Sequence, residues 1–191
     1  AKAVHDPPNV YGYAGRTQPP RWHFLAWNRA NGGHYIKLDP QTQKWEVTIH
    51  YDEVVEALEQ WLSLQFSFAP KNYADLGQNE LLALMSSGKV AQTDLVCASA
   101  PHFSNPDESV VVGKVGASYI PGPKEGSHAS ISGIWVMGVP HNLPMERKQA
   151  ALDFLNWATS KKAQMAYTKA GAIPVRQDVY EELADDPNMG W

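Results

Sequence analysis

The sequence holds a single cysteine, Cys97, in 191 residues, so neither an intrachain disulfide nor a multi-cysteine metal site can form within it. Lys and Arg never run beyond two in succession and the net charge is −4, which leaves no electrostatic footprint for a phosphate backbone or an anionic membrane. Nucleic acid is therefore not an expected partner. No apolar run approaches the ~20 residues that a membrane-spanning helix needs, and the first six residues carry no signal-peptide core. The seven histidines, at 5, 23, 34, 50, 102, 128 and 141, make no HxxxH or HExxH pattern, so no metal or other cofactor is expected. The spacing around Lys114 is not that of a P-loop, and Glu181-Glu182 and Asp185-Asp186 read as a solvated helix end rather than a glycosidase pair. Cys97 and His102 invite a thiol-nucleophile reading, but the apolar strand predicted over 90–98 would bury the thiol, where it is inert.

What is present is a chain with 43% hydrophobic residues, enough for a sizeable core, in which strand and helix signals alternate without internal repeats. An α/β fold is expected. Residues 10–14 form a strand candidate, and the paired prolines Pro19 and Pro20 punctuate a loop before a helix over 21–30 that Asn31, Gly32 and Gly33 end. Residues 34–38 and 44–49 flank a Pro-containing turn, and the alternation of Trp45, Val47 and Ile49 reads as a hairpin. Val54, Ala57, Leu58, Trp61 and Leu62 mark an amphipathic helix over 52–65, with Asp52 and Glu53 at its positive end. A further helix over 78–87 stops at Gly88. Strand candidates follow over 110–112 and 115–120, then a linker-like stretch over 121–127.

The late part of the chain is the most informative. A β-prone run over 133–140 closes at Pro140. Ala151, Phe154, Leu155 and Ala158 then fall at helical spacing on one face that is expected to be buried. Ser160 offers an N-cap for a second helix over 161–170, and Gly171 a left-handed stop before an extended Ile173, Pro174, Val175 and Arg176.

This order, a Gly-x-Trp strand, an AALDFLNWATS helix, a KKAQMAYTKAG helix and an AIPVR exit, resembles the late segment of the extracellular solute-binding proteins of ABC importers, the sugar-binding group. Tyr11-Gly12-Tyr13, Asn31-Gly32-Gly33, the helix over 54–62, Pro70 and Ser87 to Ala91 match upstream in the same order. The resemblance implies a type II periplasmic-binding-protein-like α/β fold of two lobes. This chain would hold mainly the second lobe (1–128), a hinge strand and helix pair returning to the first lobe (129–172), and a segment crossing back (173–191). It further implies an N-terminal lobe and an export signal upstream, a periplasmic or extracellular location, ABC permease subunits as partners, and capture of a sugar, sugar derivative or polyol. Without the other lobe, the helices over 151–167 are expected to expose apolar surface and favour self-association.

Binding candidates follow from the same likeness. The Gly-x-Trp strand would face the interlobe cleft, so Trp135 could stack on the apolar face of a pyranose while Gly133 permits close approach; a Trp on a β-prone run is equally at home in a core. Tyr13 adjoins the Tyr-Gly match, and Arg16, Thr17 and Gln18, with Arg21, Trp22 and His23 at a helix start, gather hydrogen-bonding groups that could hold hydroxyls. After Ala91 the Met position of many relatives is taken by Gln92 and their stacking Trp is missing, which leaves Asp94, His102 or Phe103 to contribute. Two other classes fit parts of the pattern: a carbohydrate-active enzyme or binding module, suggested by seven Trp and eight Tyr, and an intracellular interaction domain.

Overall fold

The computed structural model describes residues 1–124 and 126–186, apart from the Arg21 side chain, so Glu125 and the last residues of the 173–191 segment lie outside the described residues. The chain divides into two compact units, Ala1–Ser132 and Gly133–Trp191.

The first unit is built around two short extended segments that lie parallel. Tyr11 bridges to Val90 and Ala14 to Thr93, through Tyr11 N–H to Lys89 O, Ala91 N–H to Tyr11 O and Ala14 N–H to Gln92 O. Successive side chains on a strand point to opposite faces, and here Ala14 joins Leu76, Leu81 and Val90 while Tyr13 joins Trp27 and Trp61. Three helices supply these faces: α1 (Arg21–Ala30) and α2 (Asp52–Phe68) carry the aromatic cluster, and α3 (Gln78–Ser86) carries Leu81. Val54, Ala57, Trp61 and Gln65 are the buried stripe of α2. The stripe expected from spacing was right for Val54, Ala57 and Trp61, but Leu58 is exposed and Gln65 takes an inward place because its amide binds backbone.

The hairpin of β1 (Ile36–Leu38) and β2 (Trp45–Val47) forms where expected, with Ile36 opposite Val47 and Leu38 opposite Trp45. Its alternation does not mark burial, since those four side chains are exposed. The strand expected over 90–98 stops at the bridge at Thr93; Cys97 sits in a 3₁₀ turn (Cys97–Ser99) that leads into α4 (Ala100–Ser104). Cys97 is consequently exposed rather than buried in a strand. The 121–127 stretch is no linker: it closes a two-residue-strand hairpin of β3 (Ile120–Pro121) and β4 (His128–Ala129), with Gly122 N–H donating to Ser127 O at 2.7 Å. A Cβ on Gly122 would come within 2.3 Å of Ala30 O, so only glycine allows this hairpin to lie against the end of α1. The candidates over 110–112 and 115–119 have no strand partner among the described residues.

In the second unit, residues 133–140 have no ladder partner among the described residues and do not form the expected strand. A β-prone run needs a neighbour to donate to; without one its backbone groups turn to water, and residues 133–138 are exposed. The helices are as expected: α5 (Met145–Ala158) begins after Pro144, and α6 (Lys161–Lys169) starts at Ser160, whose Oγ accepts from Ala163 N–H at 3.3 Å. Gly171 takes φ +95° and ends the turn. A last helix, α7 (Gln177–Leu183), buries Val179 and Leu183. The face of α5 expected to be buried is not: α5 has no buried residue, and Phe154 and Trp157 are exposed. No helix among the described residues is long and apolar enough to cross a membrane.

Candidate functional site

In the first unit a carboxylate sits where the two parallel segments end. Asp94 follows the Thr93 bridge, and its side chain is only 9% exposed. Three groups converge on it. The Tyr13 hydroxyl donates to Oδ1 at 2.6 Å, Trp27 Nε1 donates to Oδ2 at 3.3 Å, and His23 Nδ1 lies 3.4 Å from Oδ2. Tyr13 comes from the first extended segment, while His23 and Trp27 are four residues apart on α1 and so share one helix face. The rings of Tyr13 and Trp27 meet edge to face, with centroids 6.3 Å apart.

The electrostatics follow from that packing. Burial, then the negative charge of Asp94 and its hydrogen bond, push the Tyr13 hydroxyl well above an ordinary phenol, with Trp61 and Trp27 pulling weakly the other way. Tyr13 is therefore a fixed hydrogen-bond donor at neutral pH. Immediately before Asp94, Thr93 Oγ1 is buried without a hydrogen-bond partner among the described residues, as are both polar atoms of the Asn28 amide on α1. Gly15, just past Tyr13, is clamped by Gln65: its N–H donates to Oε1 at 3.1 Å and its carbonyl accepts from Nε2 at 2.9 Å.

The remaining sequence candidates fall at different places. Arg16 Nε donates to Gln18 O at 2.9 Å and Arg16 Nη1 to Gln78 Oε1 at 3.1 Å, and Gln18 Nε2 donates to Ala74 O at 2.9 Å. These two side chains tie the loop before α1 to the segment before and at the start of α3. Trp22, in the first turn of α1, is 46% exposed. His102 pairs with Glu108 at 2.5 Å on the surface, and that contact holds the Glu108 carboxyl below its usual range. Trp135 is 98% exposed in the second unit, and among the described residues nothing lies within 4 Å of the place a Gly133 Cβ would occupy. The structure thus brings Tyr13 and Asp94 together directly, and Arg16 with Gln18. Among the described residues, no group of three His, Cys, Asp or Glu side chains could hold a metal.

Sequence reasoning did not single out Trp27 or Gln65. The first could have been found from His23, since an i, i+4 pair on a helix that reaches one carboxylate reaches it twice. Gln65 gave one signal, a polar residue on the apolar stripe of α2.

A sequence profile described as "Bacterial extracellular solute-binding protein" matches residues 1–190. The chain belongs to that family of extracellular solute-binding proteins, and its mixed α/β architecture is a part of their two-lobed periplasmic-binding-protein fold. Among solved structures it is similar to an ABC transporter solute-binding protein from Agrobacterium radiobacter K84 in complex with ribitol, at 24% identity over 95% of this chain and 47% of that one, with a TM-score of 0.75. It is likewise similar to maltose-bound MalE3 of T. maritima, at 24% identity over 94% of this chain and 45% of the other, TM-score 0.76. A solute-binding protein from Agrobacterium vitis S4 with bound D-mannitol matches at 20% identity over 95% of this chain and 43% of its own, TM-score 0.67. The chain therefore spans less than half the length of each of these structures.

Proposed function

We propose that this chain forms part of a binding protein that captures a small, hydroxyl-rich solute of the sugar or polyol class and hands it to the permease of an ABC transporter, outside the cytoplasmic membrane, without chemical change to the solute. The observation that carries this reading is the Asp94 node. In open α/β sheets ligands bind beyond the carboxyl ends of the strands, and Asp94, Tyr13, His23 and Trp27 gather just there, at the ends of the parallel segments. Family membership over residues 1–190, and the ribitol, mannitol and maltose of the three similar structures, support the solute class.

In this reading Asp94 accepts from solute hydroxyls while Tyr13, Trp27 and His23 fix its orientation, and Trp22 offers an exposed indole for a C–H face. Trp135 and Gly133 are further candidates for contact with the solute, with residues 129–172 proposed to belong to the first lobe and 173–191 to cross back. Arg16 and Gln18 act by holding the loop before α1. A solute shifts such a protein toward closure only by binding the closed form more tightly, so both walls must contribute; the chain by itself is expected to bind weakly.

Thermal-shift screening of the protein as encoded, against neutral sugars, polyols and sugar acids, tests this. A true ligand at 100 times its Kd adds about 2.7 kcal/mol to stability, and Asp94→Asn should abolish the gain. A panel with no stabilising compound, or turnover of a glycoside, would count against the proposal.

A further inference from the structure

Within the first unit lies a pocket of about 360 Å³ whose lining includes Leu25, Arg29, His34, Tyr35, Ser130 and Ser132. It is separate from the Asp94 node. His23 and Trp27 of α1 reach Asp94, whereas Leu25 and Arg29 stand two residues further along each time, about 200° around a helix of 3.6 residues per turn. The volume falls within the range of small-molecule sites, roughly 300–1,000 Å³.

We propose that this pocket binds a small organic carboxylate carrying a ring or short apolar body, with the Arg29 guanidinium as its clasp. Arg29 is the fixed charge of the pocket, and among the described residues no carboxylate forms a salt bridge with it, whereas nearby Lys37 is paired with Glu53 at 3.3 Å. Its neighbour is an imidazole: Arg29 Nη1 lies against the His34 ring, on Nδ1 and, at 3.0 Å, on Nε2. Burial, then the charges of Arg29 and Lys37, push the His34 pKa down against the opposing pull of Glu53, so the ring is neutral and accepts. A guanidinium has five N–H donors in a fork that matches a carboxylate, and one imidazole leaves most of them unspent.

The end of α1 would repel an anion if its carbonyls were bare. Three of the last four are not: Asn31, Gly32 and Gly33 N–H groups donate to the carbonyls of Trp27, Arg29 and Asn28. Ser130 and Ser132 add hydroxyl donors, while Leu25, Tyr35 and Ile36 give the pocket an apolar wall for the body of the ligand. The site does not depend on the solute reading above.

The test is an NMR titration of ¹⁵N-labelled protein at low salt with benzoate and, in parallel, the uncharged benzamide. Benzoate should shift the amides of Arg29, His34, Ser130 and Ser132 and bind about tenfold or more tightly than benzamide, the factor expected of one charge-assisted contact. Arg29→Gln should lower benzoate affinity by a similar factor while leaving the melting temperature and any polyol-induced thermal shift unchanged. Equal binding of the two probes, shifts confined to other residues, no saturable binding, or an Arg29→Gln variant that binds benzoate as before would each overturn the proposal.

Discussion

Residues Ala1–Ser132 enclose Tyr13, Trp27 and Trp61 in one cluster and Ala14, Leu76, Leu81 and Val90 in another, whereas the buried side chains of Gly133–Trp191 include Gln164 and Thr168 beside Val179 and Leu183. The first unit rests on aromatic and aliphatic burial. The second is held largely by directional bonds: Gln164 Nε2 donates to Ala158 O at 2.8 Å and Gln164 Oε1 accepts from Val175 N–H at 2.9 Å, joining α5, α6 and the exit segment through one amide. Arg176 adds a two-pronged pair with Asp178, both bonds 2.8 Å, though at 40% exposure this contributes little. Similar helix periodicity in sequence can therefore end in opposite ways, according to whether a partner surface lies within the same unit.

The sharpest way to break this contrast is Trp61→Ala, which removes a large ring from the aromatic cluster and should cost the first unit about 3–5 kcal/mol; urea unfolding would measure it. Tyr13→Phe should cost about 2–3 kcal/mol, since the lost bond runs to a carboxylate. It also carries a pH signature. The folded pKa of Tyr13 is raised, so its contribution is complete below the unfolded value near 10 and is lost as pH rises through the folded value. Wild-type stability should therefore fall across alkaline pH by a component that Tyr13→Phe lacks, visible in denaturation curves from pH 9 to 11.

Gln164→Ala should cost about 1–2 kcal/mol and loosen only the second unit, because it strands a carbonyl and an N–H that the amide now serves. Hydrogen exchange at Val175 should accelerate while exchange in α2 stays unchanged. The smallest effect belongs to Phe154→Ser on the exposed face of α5. It should alter stability by no more than about 0.5 kcal/mol, and yet reduce any concentration-dependent association seen by light scattering, since it removes exposed apolar surface.

Helices were the most legible part of the sequence. Their signals are local: the Ser160 cap, the Gly171 stop and the apolar spacing of Val54, Ala57 and Trp61 each act within a few residues. Strands were less legible because a strand is completed by its neighbour. Residues 133–140 and 110–119 have the composition without a partner, and 90–98 keeps its pairing only as far as Thr93. The turn over 121–127 read as a linker because Pro and Gly serve both roles, and only the approach of Gly122 to Ala30 decides between them. For the site, Tyr13 and Asp94 were visible as candidates from family likeness, but their bond spans 81 positions of sequence and could not be read from spacing.

One consequence concerns Gln65. Its side-chain amide meets Gly15 with a donor and an acceptor together, as the N–H and C=O of one residue on an adjacent antiparallel strand would. A single residue of α2 thus stands in for a whole strand at that edge. The imitation is one residue wide, so no foreign strand can dock on Gly15 without first displacing a buried amide, and this backbone position is closed to edge-to-edge aggregation by a helix rather than by charge.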